Sequence, residues 1–180
     1  MGWQFRKTDS DYAAFTIRGT SDWDDRRGGV AFNGSNHVWA MRKSPIRKSQ
    51  WVDGSLEFEV VDTGAIAAAP NDDLVLGARD QDGIGSHASV EIAEILIFDS
   101  ALSNEVINQI EGYLAHKWGL LDKLPSSHPY KEMVPLFENR PKLILPERFS
   151  LLKNQAVSFP ILTDRVATQV SVLSLSLIHI

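Results

Sequence analysis

Short runs of alternating apolar and polar residues dominate the first hundred positions. Phe15 and Ile17 alternate with Thr16 and Arg18, and Leu56, Phe58 and Val60 alternate with Glu57, Glu59 and Val61. A period of two puts one set of side chains on a buried face and leaves the other in water, as in a half-buried strand. This pattern predicts strands over residues 3–6, 12–18, 37–43, 50–52, 55–61 and 74–78, with a further one around Phe32. Ile92, Ile95, Ile97 and Phe98 form an apolar, β-branched run that predicts another. Asp53-Gly54, flanked by apolar residues, is the strongest hairpin signal in the chain, and the NGSN sequence at 33–36 is a second turn. Residues 19–29, GTSDWDDRRGG, read as loop from their composition.

The period changes to that of a helix after Ser103. Ser103 is a good N-cap, with Glu105 in the first turn, where the helix dipole favours a negative charge. Val106, Ile107, Ile110, Leu114 and Trp118 recur at helical spacing and define one apolar face. Lys117 lies in the last turn, Gly119 suits the left-handed C′ position, and Pro125 follows. A helix of about 15 residues is marginal alone in water, so this face must dock, and the strands before it are the natural partner. Short strands with turns between them and one late helix fit an antiparallel β-sandwich.

Composition narrows the function classes. Of 180 residues, 43% are hydrophobic and 23% charged, ordinary for a globular chain. The formal net charge of −5 leaves no electrostatic footprint for nucleic acid. Arg42, Lys43, Arg47 and Lys48 cluster, but within a strand-turn-strand region, and are read as a solvated face. There is no cysteine, which removes disulfides, thiolate metal sites and a Cys nucleophile. No apolar run approaches the roughly 18 residues of a membrane span, so no membrane insertion is expected. The opening residues lack the basic and apolar regions of a signal peptide.

The WVDG turn at 51–54, LVLGAR at 74–79, EIAEILIFDSALS at 91–103 and GYLAHKWGL with LPSSHPY at 112–130 together resemble LamG-like, concanavalin A-type jelly rolls. The resemblance covers about residues 1–130. It implies an all-β, concanavalin A-like antiparallel β-sandwich with one C-terminal helix, incomplete at its N-terminus. It also implies a non-catalytic module of a large secreted or surface bacterial protein that binds a glycan or an extracellular protein, in some members with calcium. The alternative is a structural spacer without a ligand of its own.

Composition shifts beyond Leu120. The expected organisation is a jelly-roll portion over 1–122, a Pro-rich linker over 123–141 and a truncated domain over 142–174. The strands of that last part resemble the opening of an immunoglobulin-like repeat. Residues 175–180, LSLIHI, resemble the conceptual translation of a sequencing-adapter end; the alternative is a genuine alternating strand.

Candidate chemistry is sparse. Glucanases of the same fold need acidic residues at i, i+2 and i+4 on one strand face, whereas EIAEIL places Glu91, Ala93 and Ile95 together and Glu94 on the other face. Glu57 and Glu59 share a face, read as the solvent face, so no enzyme is expected. The Asp80-Gln81-Asp82-Gly83 loop, with Asp72 nearby, offers hard oxygen ligands that calcium could use, against the reading of a plain turn. Trp23, in a polar stretch, is the best sugar-stacking candidate. Trp51 and Arg79 are further candidate ligand-binding residues, and Trp39 reads as core. The histidines show no metal-ligand spacing, and His116 reads as a partner for the helix C-terminus.

Overall fold

The computed structural model describes residues 3–7, 12–18, 23–31, 34–63, 74–76, 79–80, 84–85, 90–135, 149–151, 157–159 and 170–175, with side chains at 14, 26–30, 34–63 and 91–135. These residues form a β-rich structure with one helix. The strands are β1 (Trp3–Lys7), β2 (Tyr12–Arg18), β3 (Trp23–Ala31), β4 (Val38–Lys43), β5 (Arg47–Val52), β6 (Ser55–Val61) and β7 (Leu74–Leu76). They continue with β8 (Arg79–Asp80), β9 (Ile84–Gly85), β10 (Val90–Ile92) and β11 (Glu94–Phe98). The helix α1 (Asn104–Trp118) precedes β12 (Phe149–Leu151), β13 (Val157–Phe159) and β14 (Val170–Leu175).

All described pairings are antiparallel. A five-stranded sheet has the order β11-β14-β4-β5-β6, a three-stranded sheet runs β1-β2-β3, and β10-β12, β13-β7 and β8-β9 form pairs. β4 and β5 are therefore interior strands. Side chains from both of their faces are buried: Val38, Ala40 and Trp51 toward the helix, and Trp39, Met41, Lys48 and Gln50 at the alternate positions.

The Asp53-Gly54 turn joins β5 and β6 as expected. Both residues have positive φ, 51° and 76°, the backbone that a two-residue type I′ connection demands. The Asp53 N–H donates to the Val38 carbonyl at 2.8 Å, so the turn is also tied to β4.

The helix begins and ends where its signals put it. The Ser103 hydroxyl accepts the Val106 N–H at 3.3 Å, and Gly119 adopts φ 72° while its N–H reaches the Ala115 carbonyl. Ile107, Ile110, Leu114 and Ala115 are buried against Val38, Ala40 and Trp51, with Leu120 and Leu124 from the following segment completing the core. Trp118 is only partly buried, and its indole N–H donates to Glu94 at 3.0 Å.

Four expectations change on contact with the structure. First, residues 23–31 form strand β3, paired with β2 from Arg18↔Trp23 to Tyr12↔Ala31, instead of loop. Cross-strand hydrogen bonding supplies what the polar, Gly-rich composition does not advertise. Second, the alternation in β6 is broken. The β5–β6 register shifts between Gln50 and Trp51, with Trp51↔Leu56 and Gln50↔Phe58, so Glu57 is the extra residue of a bulge. Leu56 thereby leaves the face of Phe58 and Val60 and is 54% exposed. Third, the apolar run around Ile92–Phe98 is divided at Ala93, because β10 pairs with β12 and β11 with β14. Fourth, the basic cluster is not a solvated face: Lys43 and Lys48 are buried, the consequence of lying on interior strands. The Lys43 ammonium donates to the carbonyls of Ser44 and Asp62, at 2.6 and 2.8 Å. Phe32 and residues 77–78 lie outside the described residues.

Candidate functional site

Two side-chain constellations stand out among the described residues. The first is a buried junction of acids and histidines where the β5–β6 turn, α1 and residues 120–131 meet. Asp53 organises the turn side. Its carboxylate accepts the Val38 N–H at 2.9 Å and the His37 Nδ1–H at 2.7 Å. The His37 ring is nearly parallel to that of Trp39, with 5° between their planes and 6.2 Å between centroids.

From the helix comes Glu111, one turn beyond Ile107 and on the same buried stripe as Leu114. It is fully buried, and neither oxygen has a hydrogen bond of normal length. The third contribution comes from the segment after the helix. His128 is buried with its Nε2 3.8 Å from Glu111 Oε2, and the Tyr130 N–H donates to its Nδ1 at 3.3 Å. His116 Nε2 donates to the Tyr130 carbonyl at 3.0 Å, and Lys131 donates to the Leu124 carbonyl. His116 lies in the last turn of the helix, where the sequence put it, and its ring also fastens this segment to the helix.

The approach at the junction is close. A Cβ at Gly54 would stand 2.7 Å from His128 Cδ2 and 3.0 Å from Leu124 Cδ2, and one at Gly112 would run into Tyr130. Burial is the main influence on Glu111 and pushes its carboxyl above the usual range, assisted by the nearby Asp53. The N–H groups of His128 and Gly54 act in the opposite direction, electrostatically and from beyond normal hydrogen-bond length. Burial likewise lowers the Lys43 ammonium.

The second constellation surrounds Trp51. The Arg42 guanidinium lies 4.9 Å from the Trp51 ring centroid. It donates to the Leu102 carbonyl at 2.9 Å, to Asn104 Oδ1 at 2.6 Å and to Glu59 Oε2 at 2.9 Å. Glu59 also accepts the Ser49 hydroxyl at 2.8 Å and pairs with Arg47 at 3.1 Å. The Ser49 hydroxyl holds the Glu59 carboxyl below its usual range; burial opposes it, and Arg47 and Arg42 add to the lowering. Glu57, by contrast, turns toward β3 and accepts the backbone N–H groups of Gly29 and Val30. The two glutamates that share a solvent face by simple alternation are thus held by different partners, an outcome of the bulge.

The residues proposed from sequence are distributed as follows. Trp51 is buried under Arg42, at 5% exposure. Trp23 opens β3 opposite Arg18. Arg79 and Asp80 form β8, opposite Gly85 and Ile84. Asp72 and Asp82 lie outside the described residues. Sequence reasoning missed Glu111, His128, His37 and Asp53 as a group. One local signal was present: Glu111 falls at i+4 from Ile107 and i−3 from Leu114, a carboxylate inside an apolar stripe.

No protein family, curated protein or solved structure matches the chain.

Two outcomes are expected from this geometry. Gly54 and Gly119 both require positive φ, but only Gly54 has neighbours against a new Cβ. Gly54→Ala should therefore cost about 1–3 kcal/mol more than Gly119→Ala, the penalty of overpacking added to a shared backbone strain. Denaturant unfolding of the two variants measures the difference. For Glu59, a lowered folded-state value means stabilisation present above the unfolded carboxylate range and lost as pH falls through the folded value. Thermal melts should show Glu59→Gln less stable than the parent at neutral pH, with the gap closing in acid; a gap independent of pH would be inconsistent with that coupling.

Proposed function

We propose that the chain is a non-catalytic recognition module, a LamG-like, concanavalin A-type jelly roll that binds a glycan or an extracellular protein at a bacterial surface. The observation that carries this reading is how four of the described glutamates, Glu57, Glu59, Glu94 and Glu111, are committed. Glycoside cleavage needs two carboxyl groups facing one bond, one of them able to give up a proton. Glu59 is held ionised by Ser49, Arg47 and Arg42, Glu57 caps backbone N–H groups of β3, and Glu94 is engaged by Trp118 and Lys117. Glu111 keeps its proton more readily but is fully buried. Each serves the framework.

The motifs behind the resemblance serve it too. Asp53 and Gly54 of WVDG, Gly112 and His116 of GYLAHKWGL, and Leu124, His128 and Tyr130 of LPSSHPY converge on the buried junction. Residues spent on the framework leave recognition to the loops, the usual place for it. In this reading Trp23 stacks on a ligand, Arg79 contributes to its site, and Asp72, Asp80 and Asp82 hold calcium beside it, whereas Trp51, proposed from sequence as a ligand contact, is core beneath Arg42. A spacer without a ligand is the second reading, favoured by the burial of Trp39 and Trp51, which withdraws both rings from solvent.

A glycan-array screen with and without calcium tests the proposal. Saturable binding that disappears in Trp23→Ala is the expected result, and loss on chelation would add the ion. A folded chain that binds no glycan and no extracellular protein would leave the spacer reading.

A further inference from the structure

Glu111 lies within α1 with no exposed surface, so its carboxyl is either neutral or an anion withdrawn from water at an energetic cost. Charged and polar groups face it from each element packed around it. Residues 120–131 present His128, both side chains at 1% exposure or less. The β5–β6 turn presents the Gly54 N–H and the Asp53 carboxyl, with His37 at the start of β4 hydrogen-bonded behind Asp53. On the same tail, the Lys131 ammonium is occupied by the Leu124 carbonyl.

The orientation of the His128 ring follows from its partners. Nδ1 is directed at the Tyr130 N–H, which leaves Nε2 to face Glu111. That ring is also a wall of the close contact with Gly54, and its neighbour Tyr130 is the residue that His116 and Gly112 hold against the helix. A change of charge on Glu111 is felt first at this clasp.

We propose that Glu111 is a buried proton-binding site that latches residues 120–131 onto the helix, closing the clasp while the carboxyl is neutral and loosening it when the proton leaves. The direction follows from the raised folded-state value. Stabilisation is fully present below the unfolded carboxylate range and is lost as pH rises through the folded value of Glu111. A clasp that closes in acid and yields in base ties the segment that follows the helix to the pH of its surroundings.

Amide hydrogen exchange of the full chain tests the latch. The N–H groups of Leu120, Lys123, His128 and Lys131 are hydrogen-bonded within or at the edge of the segment. Their protection, corrected for the intrinsic pH dependence of exchange, should fall by up to about tenfold per pH unit above the Glu111 value, the effect of one proton. In Glu111→Gln, which keeps the shape and cannot ionise, the same amides should show flat protection. An independent carbon NMR titration of the Glu111 carboxyl in the unmodified chain should show the acid form persisting above the ordinary glutamate range. A carboxylate signal throughout that range would overturn the proposal, as would a parent pH profile no steeper than that of the Gln variant. Should Glu111→Gln fail to fold, the parent alone decides: protection of these amides that does not fall as the Glu111 carboxyl titrates would overturn the proposal.

Discussion

Gly54 and Gly112 mark the close approaches through which turn, helix and tail meet, and the sheet-helix arrangement is built around them. At Gly54 the β5–β6 turn touches His128 and Leu124; at Gly112 the helix touches Tyr130. Only a residue without a Cβ lets three separately encoded pieces of chain come this near. Once they do, the side chains of Glu111 and His128 are withdrawn from water almost entirely, and Leu120 and Leu124 join the apolar core formed by Ile107, Ile110, Leu114, Val38, Ala40 and Trp51. Close packing here is bought with a buried polar pair. Such a pair is weak evidence of stability, because desolvation offsets much of its attraction, but losing one partner leaves the other without compensation.

The same constraint explains how the sheet is held. Asp53 binds the Val38 N–H and His37, and its own N–H returns to the Val38 carbonyl, so the turn fixes the start of β4. Arg42 fixes the other end, reaching the Leu102 carbonyl and Asn104 at the start of α1. β11 is joined to the end of the helix through Glu94, which accepts the Trp118 indole N–H and pairs with Lys117. The helix is therefore tied to β4 and β11 by side chains at both of its ends, independently of its apolar face.

Features governed by neighbours in sequence were legible beforehand. The Asp53-Gly54 turn needs positive φ at two adjacent positions, and the helix from Ser103 to Gly119 has its cap residues within a few positions of its ends; both readings hold. Trp39, at 1% exposure, is core as its alternation implied. What escaped was decided across the chain. Whether Trp23–Ala31 is loop or strand depends on β2, and the bulge at Glu57 exists only relative to β5. Lys43 and Lys48 read as solvent-facing because their own segment is polar; their burial follows from the position of β4 and β5 inside the sheet order. Glu111 could be seen as an oddity on an apolar stripe, yet its partners lie in segments far from it in sequence. The β-rich class was thus open to reading, whereas the junction was not.

If the motifs that suggest a jelly-roll binding module are framework residues, their value lies in holding a surface still while loops do the recognising. The central claim is that turn, helix and tail are physically coupled through the space between Gly54 and His128. A double-mutant cycle on Gly54→Ala and His128→Ala measures this coupling directly by equilibrium unfolding. Removing the imidazole gives the new methyl room, so the double variant should be more stable than the sum of the single losses by about 0.5–3 kcal/mol. Strictly additive losses would mean that the turn and His128 do not share that space.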